Sequence, residues 1–437
     1  MSLEDQPRRP LYAPPPRLPQ PRRVRQPLRY VILSPYWLMI LALAAGLGAW
    51  LGQPLLMLGG LFGLLLAGAE QLWIRQCLTG LEYERSLGAG SAAWGEEVAL
   101  SLRIANRKLL PLTWVQTEDR VPTRLLISRA RVVDGRDGPL GFLRNLLPML
   151  PYEQLVRRYT ITCRRRGLFE FGPGSVQSGD LLGYASRSFR VPAIDHLVVY
   201  PKLFELDFPL PLSRRIVGTR SANRVILTDP SRTIGVRGYQ VGDPLRHVEW
   251  RASARVGDLQ VRIFEPTTDL TMAIFLNFRV PTFSWTSEDA PELEFCISLA
   301  ASLARWSLDR KYPAGVFGNG ARGEGGALRV PASGHPGQLQ RILEALALAE
   351  PHSQAGIAEV LLNEGPSLPF EASVVLITAM FDHRLLTAIE EVRRRRPVTV
   401  WWVKTRPGQA PHLPGVSVVT IEYDDYWEKL DRVQLAA

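Results

Sequence analysis

Cysteine is scarce in this sequence of 437 residues, which contains only Cys77, Cys163 and Cys296. Three cysteines cannot form the disulfide framework of a small secreted module, and they fit a reducing compartment. The six histidines are scattered, and none lies at zinc-binding spacing from a cysteine pair. The sequence also lacks a phosphate-binding glycine loop with its lysine, and it lacks a nucleophile elbow. Zinc hydrolases and disulfide-stapled secreted modules are therefore excluded.

Charged side chains and histidine are absent from a run of forty residues, Tyr30 to Ala69. A bilayer core takes about 20 helical residues, so the run is about twice the length of one span. Gly52-Gln53-Pro54 interrupts the run, and glycine and proline end one helix and start the next. The pattern predicts a hairpin of two transmembrane helices, about Ser34–Leu51 and about Pro54–Trp73. One long buried helix of a soluble protein is the alternative.

Arginine before the first span predicts the orientation. Seven arginines oppose only Glu4 and Asp5 in residues 1–29, and Arg75 follows the second span. Positive charge marks the cytoplasmic side, so we expect a multi-pass protein of the cell membrane with both termini in the cytoplasm. The tail at 1–29 is rich in arginine and proline and is expected to be disordered. Small residues at helical spacing favour packing of the two spans on each other, or alternatively a homo-oligomer: Ala44, Gly48, Gly52, Gly59, Gly63 and Ala67.

Residues 76–205 have the pattern of a β domain. Apolar residues alternate with polar ones from Val98 to Ile104, as in a half-buried strand, and turn clusters recur at short spacing. This pattern predicts an antiparallel, sandwich-like domain. The apolar stretch from Gly141 to Leu150 breaks the alternation. It is either part of the core or a surface loop that contacts the bilayer or a partner.

Residues 206–437 have the pattern of an α/β domain. Met272–Leu276 is a continuous apolar run, typical of a parallel strand that is covered on both faces. An amphipathic stretch, Glu292–Asp309, follows it. Further strands alternate with helices, which predicts a mostly parallel sheet. The glycine-rich segments Gly318–Gly320 and Gly323–Gly326 match no phosphate-binding motif and are predicted to be hairpin turns.

Ligands of such sheets bind beyond the carboxyl ends of the strands. These ends carry Asn277, Arg279 and Pro281 after one strand, and Thr378 and Asp382 after another. Magnesium prefers several oxygen ligands that include a carboxylate, and this set is poor in them. We therefore expect neither a metal nor another cofactor. The alternative is a magnesium-dependent binding domain or enzyme that uses Thr378, Asp382 and a carboxylate from elsewhere.

The densest cluster of polar residues precedes this sheet, between Gly238 and Arg255. Two carboxylates and two guanidiniums are expected to form a charged network beside an indole. The network either braces the fold or docks a protein partner. Catalysis is disfavoured, because arginine lowers the pKa of a paired carboxylate. The residues are Asp243, Arg246, Glu249, Trp250, Ser253 and Arg255.

Nucleic-acid binding is a further alternative. Arg164–Arg166 and Arg393–Arg396 are the basic runs after the predicted spans. Neither belongs to a basic groove interleaved with aromatic residues. We therefore expect no nucleic acid among the partners.

The motif Gly242-Asp243, Arg246, Glu249-Trp250, Ser253-Ala254-Arg255 resembles the signature of the domain of unknown function 58 family. Arg166-Gly167, Gly172-Pro173, Ser178-Gly179-Asp180 and Val199-Tyr200-Pro201 are similar to its lead-in, as is the predicted helical hairpin. The resemblance covers nearly all of the chain after residue 30. Glu249 departs from it, because the family usually has Asp at this position.

The resemblance implies a von Willebrand factor A-like fold behind a β-sandwich, in prokaryotic membrane proteins. It also implies an adaptor role beside MoxR-type AAA+ ATPases in chaperone-like assembly. Asn277, Arg279 and Pro281 occupy the places of the Asp-x-Ser-x-Ser motif of metal-binding relatives. We therefore expect a membrane-anchored adaptor that binds protein partners and is not an enzyme.

Overall fold

The computed structural model describes most of the chain after residue 34. The described residues are 35–128, 130, 132–134, 140–180, 186–207, 228–240, 243, 245–266, 271–281, 290–322, 326–351, 355–369, 372–405 and 413–435. The arginine- and proline-rich tail, Gly242 and the predicted turn residues Gly323–Gly325 lie outside them, and the Arg246 side chain is likewise not described. The chain divides into two compact units, Met1–Val199 and Tyr200–Ala437.

The first unit begins with two helices, α1 (Pro35–Trp50) and α2 (Pro54–Gln76). The turn between them contains Gly52 at φ +64°, a conformation that suits glycine. A Cβ atom at Gly60 would lie 2.6 Å from the Ala45 nitrogen, and one at Gly63 would lie 2.7 Å from a Leu41 methyl carbon. Gly60 thus faces Ala45, and Gly63, further along α2, faces Leu41, which is earlier in α1. The two helices therefore pack antiparallel, with glycines of α2 at the contact.

One described helix, α2, is long and apolar enough to cross a membrane. Its 23 residues span about 34 Å at about 1.5 Å per residue. The described part of α1 has 16 residues and is shorter than a typical span of about 20. Helix α2 continues past the predicted end at Trp73 because Ile74 and the following Cys77 are buried against the strands of the same unit.

The rest of the first unit consists of twelve strands in three sheets, with strand orders β1-β3-β8-β5, β11-β10-β4-β7-β6 and β2-β12-β9. The strands are β1 (Leu81–Leu87), β2 (Ser91–Ala92), β3 (Glu97–Asn106), β4 (Leu112–Pro122), β5 (Leu126–Ile127), β6 (Val132–Asp134), β7 (Leu140–Met149), β8 (Gln154–Thr162), β9 (Gly167–Phe171), β10 (Gly174–Gly179), β11 (Ser186–Val191) and β12 (Asp195–Val199). Residues from all three sheets share one apolar core. The predicted strand from Val98 to Ile104 is confirmed within β3.

The apolar stretch from Gly141 to Leu150 forms strand β7 and not a loop, apart from its last residue. Leu143 and Met149 are buried, whereas Leu146 is 66% exposed. The surface-loop interpretation is therefore wrong for residues 141–149 but not for Leu150, which lies in the loop after β7, and the core interpretation holds for part of the stretch. Apolar residues on both faces of β7 hid the two-residue period that identifies a strand.

A buried ion pair lies inside this unit. Arg85 Nη1 lies 2.9 Å from Asp119 Oδ1, and each side chain is 1% exposed. A Cβ atom at Gly172 would lie 2.6 Å from the Arg85 guanidinium, and one at Gly174 would lie 2.6 Å from the Asp119 carboxylate. These two glycines thus leave room for the ion pair, which accounts for part of the glycine-rich pattern in the sequence.

The second unit contains five helices and eleven strands among its described residues. The helices are α3 (Trp250–Val256), α4 (Pro291–Asp309), α5 (Gln338–Ala347), α6 (Ile357–Glu364) and α7 (His383–Arg393), with short 3-10 turns at Leu245–His247, Gly365–Ser367 and Trp427–Lys429. The strands are β13 (Glu205–Asp207), β14 (Thr228–Gly238), β15 (Gln260–Pro266), β16 (Met272–Leu276), β17 (Ala314–Arg322), β18 (Gly326–Ser333), β19 (Ala349–Glu350), β20 (Ser373–Thr378), β21 (Val398–Lys404), β22 (Ser417–Glu422) and β23 (Arg432–Gln434).

The central sheet of this unit has the order β18-β17-β16-β20-β21-β22, with β19 beside β17. The four pairings that join β17, β16, β20, β21 and β22 are parallel, while β18 and β19 each pair antiparallel with β17. Ile274 and Leu276 pack with α4 and α5 on one face, whereas Ala273 and Phe275 pack with α6 and α7 on the other. The predicted mostly parallel sheet with helices is therefore observed. Its inner strands consist largely of apolar residues because helices cover both faces of the sheet.

Two details differ from the sequence prediction. Gly318-Asn319-Gly320 is part of strand β17 and not a turn, because β17 continues past it to Arg322 opposite Gly326. The boundary expected after residue 205 falls within β13, which pairs in parallel with β23. A pairing between strands so far apart in sequence leaves no local pattern.

Candidate partner-binding site

The polar motif of the sequence lies on a two-stranded ribbon. Strands β14 and β15 pair antiparallel, and the 3-10 turn and helix α3 connect them. Val248 forms an isolated bridge with Val261, and both side chains are buried. The ribbon thus holds the turn and α3 beside β15. We call residues 228–240, 243 and 245–266 the ribbon segment.

Ser253 joins helix α3 to strand β15. Its hydroxyl donates to the Glu249 carbonyl at 2.9 Å and accepts from the Gln260 amide at 2.8 Å. Helix α3 ends at Gly257, whose φ of +83° suits glycine and whose amide donates to the Ser253 carbonyl. Ser253 is therefore a positioning residue of the ribbon segment.

Asp243 forms a bidentate ion pair with Arg237 of β14. Both guanidinium nitrogens lie 2.7 Å from the carboxylate oxygens, and the Gln240 amide donates to the same carboxylate at 2.8 Å. The Arg237 guanidinium, together with this amide, holds the pKa of Asp243 below its usual range. Asp243 is therefore ionised at neutral pH and is a poor general acid or base.

The carboxylates of the motif do not pair with its described arginine, contrary to the predicted network. Glu249 pairs with Arg262 of β15 rather than with Arg255. Residues three or four apart face each other on a helix, and Glu249 and Arg255 are six apart. The strands instead supply the arginines that pair with Asp243 and Glu249. Sequence spacing alone missed Arg237 and Arg262, although the alternating residues around Arg237 are a signal for a strand.

Trp250 and Arg255 point outward from the same segment. Five apolar side chains of the ribbon segment are at least two-fifths exposed: Val236 at 45%, Leu245 at 64%, Trp250 at 66%, Val256 at 64% and Leu259 at 42%. We call these five residues the ribbon patch. Arg251 and Arg255 are also exposed, and neither pairs with a described carboxylate. The segment therefore offers apolar, indole and guanidinium groups to solvent.

The carboxyl edge of the central sheet is closed by hydrogen bonds. Asn277 is 2% exposed and donates through Nδ2 to the Thr378 hydroxyl at 3.0 Å. Its Oδ1 accepts from the Arg279 amide at 3.1 Å, and the Thr378 hydroxyl donates to the Met380 carbonyl at 2.5 Å. The oxygen atoms at this edge are thus engaged by protein groups. Arg279 itself is exposed, and Pro281 is half-buried.

An aromatic ring fills the same edge. Phe278 is 1% exposed, and its amide donates to Asn319 Oδ1 of β17 at 2.8 Å. A Cβ atom at Gly320 would lie 2.7 Å from the Phe278 ring, so the glycines on either side of Asn319 make room for the ring. Sequence reasoning missed the roles of Phe278 and Asn319, because their partners are about forty residues away.

Asp382 caps the N-terminus of helix α7. Its Oδ1 accepts from the Leu385 amide at 2.7 Å at the start of α7. The described residues contain no group of three or more His, Cys, Asp or Glu side chains that could hold a metal ion. Thr378 and Asp382, the residues of the metal-dependent alternative, are each engaged in hydrogen bonds with backbone groups.

A cleft of about 710 Å³ opens between strands β7 and β8 of the first unit. Arg144, Asn145, Arg157, Arg158 and Tyr159 are among its lining residues. The Tyr159 hydroxyl donates to Asn145 Oδ1 at 2.5 Å. The described lining presents guanidinium, amide and phenol groups but no carboxylate, so it does not supply an acid–base pair of carboxyl groups.

Comparison with known proteins identifies a family match for the second unit. The family model of DUF58, a protein of unknown function, matches residues 235–431. The match begins within the ribbon segment and includes all of the central sheet. It agrees with the resemblance seen in the sequence motif from Gly242 to Arg255.

Individual proteins resemble the chain only weakly. Uncharacterized protein YeaD of Bacillus subtilis is 22% identical over 183 residues, which are 42% of this chain and 44% of that protein. The CARDB domain of PF1109 from Pyrococcus furiosus is 12% identical with a TM-score of 0.18, covering 28% of this chain and 94% of that domain. The C-terminal domain of wzt is 10% identical with a TM-score of 0.20, covering 28% and 75%. At these TM-scores the similarity supports no conclusion about fold or activity.

Proposed function

We propose that this protein is a membrane-anchored adaptor that binds protein partners and is not an enzyme. A MoxR-type AAA+ ATPase is the partner we propose, in a chaperone-like assembly process. The second unit acts as a von Willebrand factor A-like binding domain without a metal. The ribbon patch is the observation on which this proposal rests.

The chemistry of the ribbon segment supports a protein partner. Tryptophan and arginine are the residues that most often dominate binding at protein interfaces, and Trp250, Arg251 and Arg255 are all exposed. Large exposed apolar patches mark interaction sites, and the ribbon patch contains five large exposed apolar side chains. The carboxylates of Asp243 and Glu249 are paired with arginine. The other exposed charges of this segment include Arg251 and Arg255 against Asp258, so these three are net positive. The partner surface should therefore combine apolar pockets with acidic side chains.

The anchor is proposed to be a hairpin in which both α1 and α2 cross the membrane. The apolar composition of α2 and its close packing with α1 support this topology. Seven arginines before α1 and Arg75 near the end of α2 support a cytoplasmic location of both flanks, because positive charge marks the cytoplasmic side. The location that follows is the cytoplasmic membrane of a prokaryotic cell.

Site-specific photo-crosslinking in native membranes tests this function. A benzophenone amino acid replaces Trp250 in one variant and Tyr426 in the other, because Tyr426 is 67% exposed in the same unit. We expect the AAA+ ATPase to be crosslinked from position 250 and not from position 426. The substitution Arg255→Glu should abolish the adduct, since it places a negative charge before an acidic partner.

Three results would count against the proposal. Equal adducts from both positions would show non-specific proximity, and no ATPase adduct from position 250 would remove the proposed partner. A carbonate wash of the membranes tests the anchor separately. Release of the chain by the wash would show that it is not anchored through α1 and α2.

A further inference from the structure

Two loops of the first unit are joined by hydrogen bonds into one structure. The Tyr152 amide donates to the Lys108 carbonyl at 3.2 Å. Asn106 Nδ2 donates to the Leu110 carbonyl at 3.0 Å and to the Leu150 carbonyl at 2.9 Å. We call residues 107–111, between β3 and β4, and residues 150–153, between β7 and β8, the loop pair.

The loop pair is tied to the end of the membrane helix α2. Lys108 Nζ donates to the Thr79 carbonyl at 2.9 Å and to the Cys77 carbonyl, just after the helix. Cation-to-carbonyl bonds at a helix C-terminus are favourable, because the last carbonyl groups lack helical partners. The position of the loop pair relative to α2 is therefore fixed.

Strand β10 runs back along α2 toward the bilayer. Cys77 Sγ lies 3.7 Å from the Ser178 carbonyl oxygen, and the Glu70 side chain contacts that of Asp180. Ser178 pairs with Val115 of β4, so Val115 is level with Cys77. These two contacts show that β10 and the end of α2 run in opposite directions.

The start of β4, from which the loop pair continues, lies on the side of Cys77 that faces Glu70, where charge first returns to α2. Glu70 precedes Cys77 by seven residues, or about 10 Å of helix. Leu112, which starts β4, precedes Val115 by three residues, or about 10 Å of strand. Leu112 is thus displaced from Val115 in the direction of Glu70, the first charged residue after the apolar run. The loop pair continues from Leu112 and from its partner Met149.

Large apolar side chains cover the loop pair on its solvent side. Leu109 is 74% exposed, Leu150 is 67% exposed and Tyr152 is 67% exposed. Tyr152 also has φ +56°, a conformation in which a bulky residue is strained and glycine or asparagine is favoured. Neither water nor the local backbone favours these residues here. A bilayer interface favours leucine and the amphipathic ring of tyrosine.

We propose that the loop pair inserts Leu109, Leu150 and Tyr152 into the interfacial layer of the membrane. The occupant of this surface is the lipid layer around α2, and the first unit then contacts the membrane through the loop pair as well as through its helices. This inference rests on the membrane anchoring in the proposed function.

Depth-dependent quenching in the full chain, reconstituted in lipid nanodiscs, tests the inference. Leu109→Cys carries a bimane label, and the lipids carry a nitroxide near the headgroup. The native Cys77, Cys163 and Cys296 are buried, and burial raises the pKa of the Cys163 thiol to about 11, so labelling is confined to the new cysteine.

Leu126→Cys is the matched control. Leu126 is 64% exposed and pairs with Thr162, at the end of β8 about 26 Å from the loop pair. We expect nitroxide lipids to remove at least half of the bimane emission at position 109 and almost none at position 126. Tyr152→Gly, in the Leu109→Cys background, should weaken the quenching while leaving the melting temperature unchanged or higher, because glycine relieves the positive φ.

The outcomes separate the inference from the proposed anchoring. No lipid quenching at position 109 in chains that stay in the discs overturns the inference alone, and so does equal quenching at both positions. Protection of position 109 from aqueous iodide without lipid quenching identifies a protein occupant and also overturns it. Loss of the chain from the discs contradicts the anchoring itself.

Discussion

Removing one partner of the buried Arg85–Asp119 pair should destabilise the first unit strongly. In Arg85→Met, Asp119 would lose the guanidinium that compensates its charge in a core where both side chains are 1% exposed. Because burial already raises the pKa of Asp119, this carboxyl would either carry an uncompensated charge or take up a proton. Arg85 also donates from Nε to Asp195 at 2.7 Å and from Nη2 to the Ala193 carbonyl at 2.6 Å. Breaking a buried pair of this kind costs about 3–5 kcal/mol, because the remaining charge has lost its compensation.

Hydrogen exchange of the full chain in detergent measures this cost. The amides of β1 and β4 exchange when the unit opens, so 3–5 kcal/mol corresponds to exchange about 10²–10⁴ times faster. The double variant Arg85→Met/Asp119→Leu should recover much of the loss, because the buried carboxylate is removed and Asp195, the other carboxylate that Arg85 contacts, is 35% exposed and can be hydrated.

Arg103→Met is the matched control for the same chemical change. Arg103 pairs with Glu84 at 3.5 Å, and the two side chains are 44% and 67% exposed. An exposed pair contributes about 0–1 kcal/mol, since water screens both charges. If Arg85→Met and Arg103→Met differ by less than about 1 kcal/mol, the argument from burial is wrong.

Three further predictions concern the second unit. Gly320→Ala should cost about 1–3 kcal/mol of unfolding free energy, because its Cβ atom would meet the Phe278 ring. Gly356→Ala, whose Cβ atom would have no described neighbour within 4 Å, should cost little in the same denaturation assay. Asp382→Ala should cost about 1 kcal/mol of unfolding free energy through loss of the α7 cap, and Asp382→Ser should keep most of that stability. A rise in wild-type melting temperature with millimolar Mg²⁺ would contradict the purely capping role. Asp243→Asn should lower the melting temperature at pH 7. Since the pKa of Asp243 is lowered in the folded protein, the difference in melting temperature between wild type and variant should shrink below about pH 4 and vanish below that folded pKa. A pH-independent difference would contradict the ion pair.

The sequence predicted the elements whose pattern is local. Met272–Leu276 is apolar without interruption because both faces of β16 are covered, and this pattern alone identified a buried parallel strand. Helix α4 matched its amphipathic stretch within one residue at its start. Strand β7 was missed as a strand because Leu146 is exposed on the face opposite Leu143.

The partners of the site residues could not be predicted in the same way. Arg262 reaches Glu249 only because β15 folds back along the segment that contains α3. Phe278 fills the sheet edge because Gly320, on a neighbouring strand, has no side chain. Pairings of this kind depend on which strands are neighbours, and composition and spacing do not contain that information.

The burial of Ile74 and Cys77 has a mechanical consequence for the first unit. Because the last turn of α2 is packed into the strand core, no hinge separates the helix from the domain that follows it. A helix tilt of about 20°, common for membrane helices, would swing the far end of β8 sideways by about 9 Å over its length of about 26 Å. If α2 crosses the membrane as proposed, the first unit is a rigid lever, and a change in bilayer thickness becomes a displacement at its distal end.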